Sequence, residues 1–338
     1  MWAINPKISE ANIENTPFRD GISENSYVFK TEGKTKCEWL KDFFGIEDHN
    51  LFDEKFKQAC NGSGQEETRI TTLHSSSLCA QLFFYKVTET SPIYIVLDDE
   101  KIKFTESIFE YQNKVTNKGN PSNIDITLLG TGNGQNVILF LESKFSEYII
   151  GAGKTLKVKS EYLKNEYSSF IYNDNIFENM GLLLDTRDKE QEFKILSDSK
   201  TYLEGLKQMI SHYVGVIRFI KGTLNKEADE LSNSNNQKKQ LIQEHVRQYM
   251  NESTKVYLGT ILFDDKIGNI ILDHNHNESY LENYGNLYRK LAETLNVQLK
   301  NDGVLNMKVL QNILTYKNLF TDSKNEPLYS KEICDFYF

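Results

Sequence analysis

The sequence predicts an α/β protein. Three observations carry that expectation. Several apolar runs are strand-sized, such as Ile93–Leu97 and Val137–Leu141. Two strand-like segments flank the glycine-rich stretch Gly130-Thr131-Gly132-Asn133-Gly134, as in a hairpin. Between Tyr202 and Ile220, residues Leu206, Met209, Ile210, Tyr213, Val214 and Ile217 repeat with the 3.6-residue period of a helix that buries one stripe.

In chain order, the first sixty-odd residues are polar and mixed, and end in the loop Asn61-Gly62-Ser63-Gly64. Gln65 to Lys86 reads as a helix, with Leu73, Leu78, Leu82 and Phe83 near helical spacing and Glu66 and Glu67 at its positive dipole end. Ile93–Leu97 and Phe104–Val115 read as strands, and Pro121-Ser122-Asn123 punctuates. Ile124–Leu129 and Val137–Phe145 form the arms of the hairpin. An insertion runs from about 150 to 200, ahead of the helix at Tyr202–Ile220. Residues 226–240 are charged and Asn/Ser-rich, which predicts an exposed excursion. Val256–Phe263 resumes as a strand. Ser279–Leu295 and Leu305–Leu319 read as helices, separated by Asn301-Asp302-Gly303.

Composition limits the function classes. The chain has 338 residues, enough for one elaborated domain or two. No apolar run approaches the roughly 18 residues of a membrane helix, and the start has no basic region followed by an apolar one, so a cytoplasmic protein is expected. Asp+Glu 48 against Lys+Arg 39 gives a net charge of −9, so any polyanion must meet a local basic face. The four cysteines are scattered without a CxxC pair, which predicts reduced thiols.

The chemistry concentrates at the hairpin. Along Leu141-Glu142-Ser143-Lys144, alternate residues share a face, so Glu142 and Lys144 point one way. The hairpin brings Asp125 beside them. Two carboxylates and an ammonium then converge where apolar strands end, and burying such charges is costly unless they pair or hold a cation. Hard oxygen ligands suit Mg²⁺ or Mn²⁺, and Lys144 is placed to orient a water or stabilise developing negative charge. The bland alternative is a solvated Glu–Lys pair on a surface hairpin.

Asp125, sixteen intervening residues and Glu142-x-Lys144 resemble the motif of the PD-(D/E)xK nuclease superfamily, with Pro121 four residues ahead of the Asp rather than adjacent. Gln208 and Tyr213 on the following helix are similar to the Gln/Tyr motif of its RecB-like branch, with one extra residue in the spacing. His74 to Phe84 and the context of Glu142-Ser143-Lys144-Phe145 look like bacterial members grouped with restriction endonucleases.

The resemblance implies a restriction-endonuclease-like core of helix, three-strand meander, helix and strand over residues 65–265. An N-terminal extension over 1–64 and a mostly helical C-terminal extension over 266–338 flank it. It implies a Mg²⁺- or Mn²⁺-dependent nuclease acting on DNA, alone, as a homodimer or with a partner subunit. Asp125, Glu142, Lys144 and Gln208 are its catalytic candidates. Asp125, Glu142, the Ser143 carbonyl and Glu67 are its metal candidates, with Glu110 competing as the third acid. A non-catalytic nucleic-acid-binding or scaffold protein keeping the fold is the alternative.

Other features are weaker. Gly151-Ala152-Gly153-Lys154-Thr155 falls short of a phosphate loop, because the position needing the first glycine is Tyr148. Lys154, Lys157 and Lys159, in a stretch without acids, are expected to line the cleft mouth beside Lys144 and contact phosphates. Asp273-His274-Asn275-His276 has metal-ligand types but reads as a polar turn, and His212 as a satisfied helix histidine.

Overall fold

The structure is a computed structural model. It describes residues 13–15, 27–31, 33–60, 70, 72, 75–116, 121–145, 147, 153–159, 176–185, 192–196, 201–224, 237–263, 277–322, 328 and 331–337.

The chain opens with a two-stranded antiparallel pair, β1 (Ile13–Asn15) and β2 (Tyr27–Phe29). Helices α1 (Lys36–Phe43) and α2 (His49–Ala59) follow. The next described helix, α3, covers Ser76–Phe84. Ser75 caps it, its Oγ accepting from the Leu78 N–H at 3.1 Å, and such a cap fixes where a helix starts. Residues 61–69, which include Glu66 and Glu67, lie outside the described residues. Every residue from Leu78 to Phe84 is buried, so α3 is a core helix rather than an amphipathic one.

Four strands then form an antiparallel meander: β3 (Ile93–Leu97), β4 (Glu100–Asn113), β5 (Ser122–Gly132) and β6 (Gln135–Lys144). Two-residue turns make two of the connections. Asp98 and Asp99 have φ of 52° and 64°, and Asn133 and Gly134 have 45° and 77°. Positive φ at both central residues matches the right-handed twist of the flanking strands. The hairpin turn is therefore Asn133-Gly134 alone, and Gly130 and Gly132 belong to β5.

The insertion holds β7 (Leu156–Lys159), a single helical turn α4 (Ile176–Asn179), β8 (Leu183–Asp185) and β9 (Glu192–Leu196), the strands forming an antiparallel sheet of their own. Helix α5 (Leu203–Leu224) carries the expected apolar stripe. It packs on the main sheet through Phe219, whose ring centre lies 6.0 Å from those of both Tyr111 and Phe140. Gly215 permits this approach, since a Cβ there would sit 2.7 Å from the Asn113 Cβ. A helix the sequence reading did not anticipate, α6 (Gln237–Tyr249), begins inside the stretch expected to be an exposed excursion. Val246 is its buried anchor, and the Tyr249 hydroxyl donates to the Gly130 carbonyl at 2.5 Å.

β10 (Lys255–Leu262) joins the sheet parallel to β6. Helix α7 (Asn277–Asn301) follows. The expected helix over Leu305–Leu319 is corrected. The segment forms β11 (Met307–Val309) and β12 (Leu314–Thr315), both parallel to β10, and then the short helix α8 (Tyr316–Phe320). Asn296 of α7 explains why an edge strand is favoured there. Its side chain donates to the Val309 carbonyl and accepts from the Val309 N–H, both at 2.8 Å, so the backbone polar groups of that edge residue are paired. A last helix, α9 (Lys331–Tyr337), closes the chain.

The main sheet thus has the order β11-β10-β6-β5-β4-β3, with β12 also on β10. One continuous core runs through it, from Phe29 and Trp39 to Phe336 and Tyr337. No helix among the described residues is long and apolar enough to cross a membrane.

Candidate active site

The site lies where β5 begins and β6 ends. Ile126 pairs with Leu141 across the antiparallel ladder, and paired residues share a face. One step further out, Asp125 falls beside Glu142. Asp125 Oδ2 accepts the Ser143 N–H at 2.7 Å, capping the strand end with a carboxylate. Glu142 and Lys144 are both 4% exposed, and Lys144 Nζ donates to Glu142 Oε1. The solvated surface pair is thereby excluded. Ser143 points to the opposite face, where its Oγ donates to the Ser76 carbonyl at 3.1 Å and meets the Tyr316 hydroxyl at 2.7 Å.

Helix α5 supplies the far wall. His212 Nε2 lies 2.7 Å from Glu142 Oε2, and its Nδ1 lies 2.6 Å from Ser122 Oγ. His212 is satisfied, as the sequence reading expects, but its partners are the candidate site itself. A buried histidine on the sheet-facing side of the helix was the available signal. Nothing in the sequence indicated that Glu142 and Ser122 would meet it.

The electrostatics follow from this packing. Burial and the charge on Glu142 push the Asp125 carboxyl well above its ordinary range, against the opposing pull of Lys144 and the Ser143 N–H. Burial also acts to raise Glu142, but Lys144 and His212 outweigh it, and the carboxyl is held low. Burial disfavours the charged Lys144 ammonium, yet Glu142 holds its pKa well above the usual value. Glu142 and Lys144 are therefore a buried ion pair, and the Asp125 carboxyl beside them is the one whose charged form is disfavoured.

Asp125, Glu142, Ser122 and His212 line a polar cleft of about 350 Å³. Gln208 lines it too, and its Oε1 is buried without a hydrogen-bond partner. Tyr213 is fully buried, in the core rather than at the cleft. Glu110 of β4 reaches the cleft with φ at 53°, and β4–β5 pairing steps from Phe109↔Ile126 to Tyr111↔Ile124 around it. A non-glycine residue in this left-handed region is strained, and such strain gathers at functional sites. Among the described residues no group of three or more His, Cys, Asp or Glu forms a metal cage. Of the expected metal carboxylates, Asp125, Glu142 and Glu110 line the cleft, and Glu67 lies outside the described residues.

Lys154 and Lys157 differ from expectation. Both are exposed, on or just ahead of β7, and neither lines the cleft; the Lys159 side chain is outside the described residues. β7 pairs with β9 in the insertion sheet. Lys207 of α5 is the lysine in the cleft wall. His274 and His276 also lie outside the described residues.

Residues 39–203 match a family model described as restriction endonuclease associating with ARP. The matched span is just under half of the chain, contains Asp125, Glu142 and Lys144, and stops short of His212. It supports a restriction-endonuclease-like family for this chain. No curated protein and no solved structure matches it.

Proposed function

We propose that this protein is a divalent-cation-dependent nuclease that hydrolyses phosphodiester bonds of DNA, in restriction, defence or repair. The observation that carries the reading is that Asp125 and Glu142, from adjacent strand ends, line one polar cleft with Lys144 bonded to Glu142. The likeness to restriction endonucleases over 39–203 points the same way.

The donor set fits the cation. Two hard carboxylate oxygen donors suit Mg²⁺ or Mn²⁺, which keep several waters and need few protein ligands. Asp125 and Glu142 would hold it, with the Ser143 carbonyl as a third donor and Glu110 or Glu67 as further acids. Bound there, the cation would supply a water of lowered pKa and neutralise charge on the scissile phosphate.

The chain's own groups do the rest. Lys144, held protonated against Glu142, orients the attacking water or donates to the charge that develops on the phosphate. The Gln208 amide lies at the cleft wall with an unused acceptor, ready for a water or a substrate donor. Lys154, Lys157 and Lys159 are the phosphate contacts outside the cleft. The chain carries a net charge of −9, so DNA affinity rests on such local contacts or on a second subunit. The family description names association with ARP, and we take that as the partner class.

Plasmid nicking with Mg²⁺ or Mn²⁺, an EDTA control, and single-stranded DNA and RNA alongside test the reading. Cleavage of DNA only with the cation, lost about 10²–10³-fold in Lys144→Ala with DNA binding retained, is expected. Full-rate cleavage by Lys144→Ala places the chemistry elsewhere. Nucleic-acid binding without cleavage of any substrate favours the scaffold alternative.

A further inference from the structure

Glu142 receives one hydrogen bond on each of its oxygens, from Lys144 at Oε1 and from His212 at Oε2. A carboxylate held at both oxygens cannot rotate about its terminal bond without breaking one contact. The lysine is the sequence neighbour two residues on, but the histidine comes from another element. His212 is in turn held, since Nδ1 faces Ser122 Oγ at 2.6 Å. An ionised carboxylate only accepts, so Nε2 carries the proton and donates. In the neutral ring Nδ1 then offers a lone pair, to which the Ser122 hydroxyl donates. The acceptor-only Glu142 thereby fixes the tautomer, and Ser122, whose hydroxyl can donate or accept, holds the other side of the ring.

We infer that His212, with Ser122 behind it, is the positioning residue of the nuclease site, fixing the Glu142 carboxylate so that a divalent cation can bind between it and Asp125. The inference rests on the nuclease reading above. His212 is the α5 residue bonded to a site acid, whereas Gln208, the catalytic candidate on the same helix, lines the cleft with its Oε1 unpartnered. Ser122 belongs to the first residue of β5, three before Asp125, so one strand end supplies both a candidate ligand and the group that orients the histidine. Partners that orient ligands in this way commonly change metal affinity by about 10–100-fold when removed.

Mn²⁺ titration by calorimetry, run beside plasmid nicking and circular dichroism, tests this on the full chain. His212→Leu is expected to weaken Mn²⁺ binding at least 10-fold and to slow cleavage. His212→Gln, which keeps an N–H donor at similar reach, is expected to recover most of both. Ser122→Ala is expected to fall between wild type and His212→Leu. If His212→Leu fails to fold, the His212→Gln and Ser122→Ala pair carries the comparison alone. Equal Mn²⁺ affinity in wild type, His212→Leu and Ser122→Ala overturns the positioning role and leaves the nuclease reading standing. Ser122→Ala that abolishes cleavage with Mn²⁺ affinity unchanged also overturns it, because the serine then acts on the substrate directly. A wild type that binds no Mn²⁺, the same as Asp125→Asn, removes the nuclease reading and the inference together.

Discussion

Glu142 and His212 stand 70 residues apart in sequence and 2.7 Å apart in space, the acid at the end of β6 and the imidazole midway along α5. That contact ties the candidate chemistry to the packing of a helix against a sheet. It also sets the energetics of the site, because Glu142 and Lys144 are buried charges that rely on their partners.

Replacing Lys144 with Met removes one of them. A buried ion pair broken from one side costs about 3–5 kcal/mol, since the remaining charge is left uncompensated. Lys144→Met is expected to fall in that range in urea denaturation. The double variant Lys144→Met/Glu142→Gln is expected to recover most of the loss, as both charges are then absent. Additive losses in the double variant would show that the two side chains are not coupled.

Ser143 separates side chain from backbone. Its hydroxyl bonds Ser76 and Tyr316 on the face away from the cleft, whereas only its carbonyl is proposed as a ligand. Ser143→Ala is expected to cost about 0.5–1.5 kcal/mol of stability for each hydrogen bond lost. Cleavage rate is expected to stay within a few-fold of wild type. A rate loss comparable to that of Lys144→Ala would mean that the hydroxyl takes part in the chemistry.

Much of this was legible in the sequence, for physical reasons that can be named. The strands themselves follow from their apolar runs, the shared face of Glu142 and Lys144 from their two-residue spacing on a strand, and the long helix from its apolar stripe. Asp125 followed from the hairpin. What stayed hidden depends on contacts between distant elements. His212 looks the same whether its ring meets a backbone carbonyl or Glu142. The strands at Met307–Val309 and Leu314–Thr315 are too short to display a period, and the leucines spread over 305–319 imitate helical spacing. Lys154 and Lys157 are exposed, just ahead of and on a strand of the insertion sheet whose strands the sequence did not delimit. The helix at Gln237–Tyr249 buries little of itself and so shows little apolar pattern.

Gly215 tests how the helix sets the site. A Cβ there meets Asn113 at 2.7 Å, and overpacking of this kind costs about 1–3 kcal/mol. His212 lies three residues earlier, on the turn that would be displaced. Gly215→Ala is expected to lower the unfolding midpoint and, in protein that remains folded, to slow cleavage. Unchanged stability would show that the helix and β4 have slack.

Cys37 gives a pH test of the N-terminal helices. Burial and the Asp53 carboxylate, which accepts from Sγ at 3.1 Å, raise its thiol to about 12. The sign is clear: the protonated thiol is favoured in the folded state up to that pH, and only the thiolate reacts. Iodoacetamide labelling of Cys37 at pH 8 is expected to run about 1,000-fold slower than for an ordinary thiol with pKa near 9, and to accelerate on unfolding. Fast labelling of the native protein would mean that Cys37 is not held against Asp53.

The most direct measurement of the central claim is anomalous diffraction from a crystal soaked in Mn²⁺. The account predicts a peak in the cleft within about 2.0–2.4 Å of a carboxylate oxygen of both Asp125 and Glu142, absent in Asp125→Asn crystals. A soaked wild-type crystal with no peak there, or with a peak bound away from both acids, would contradict it.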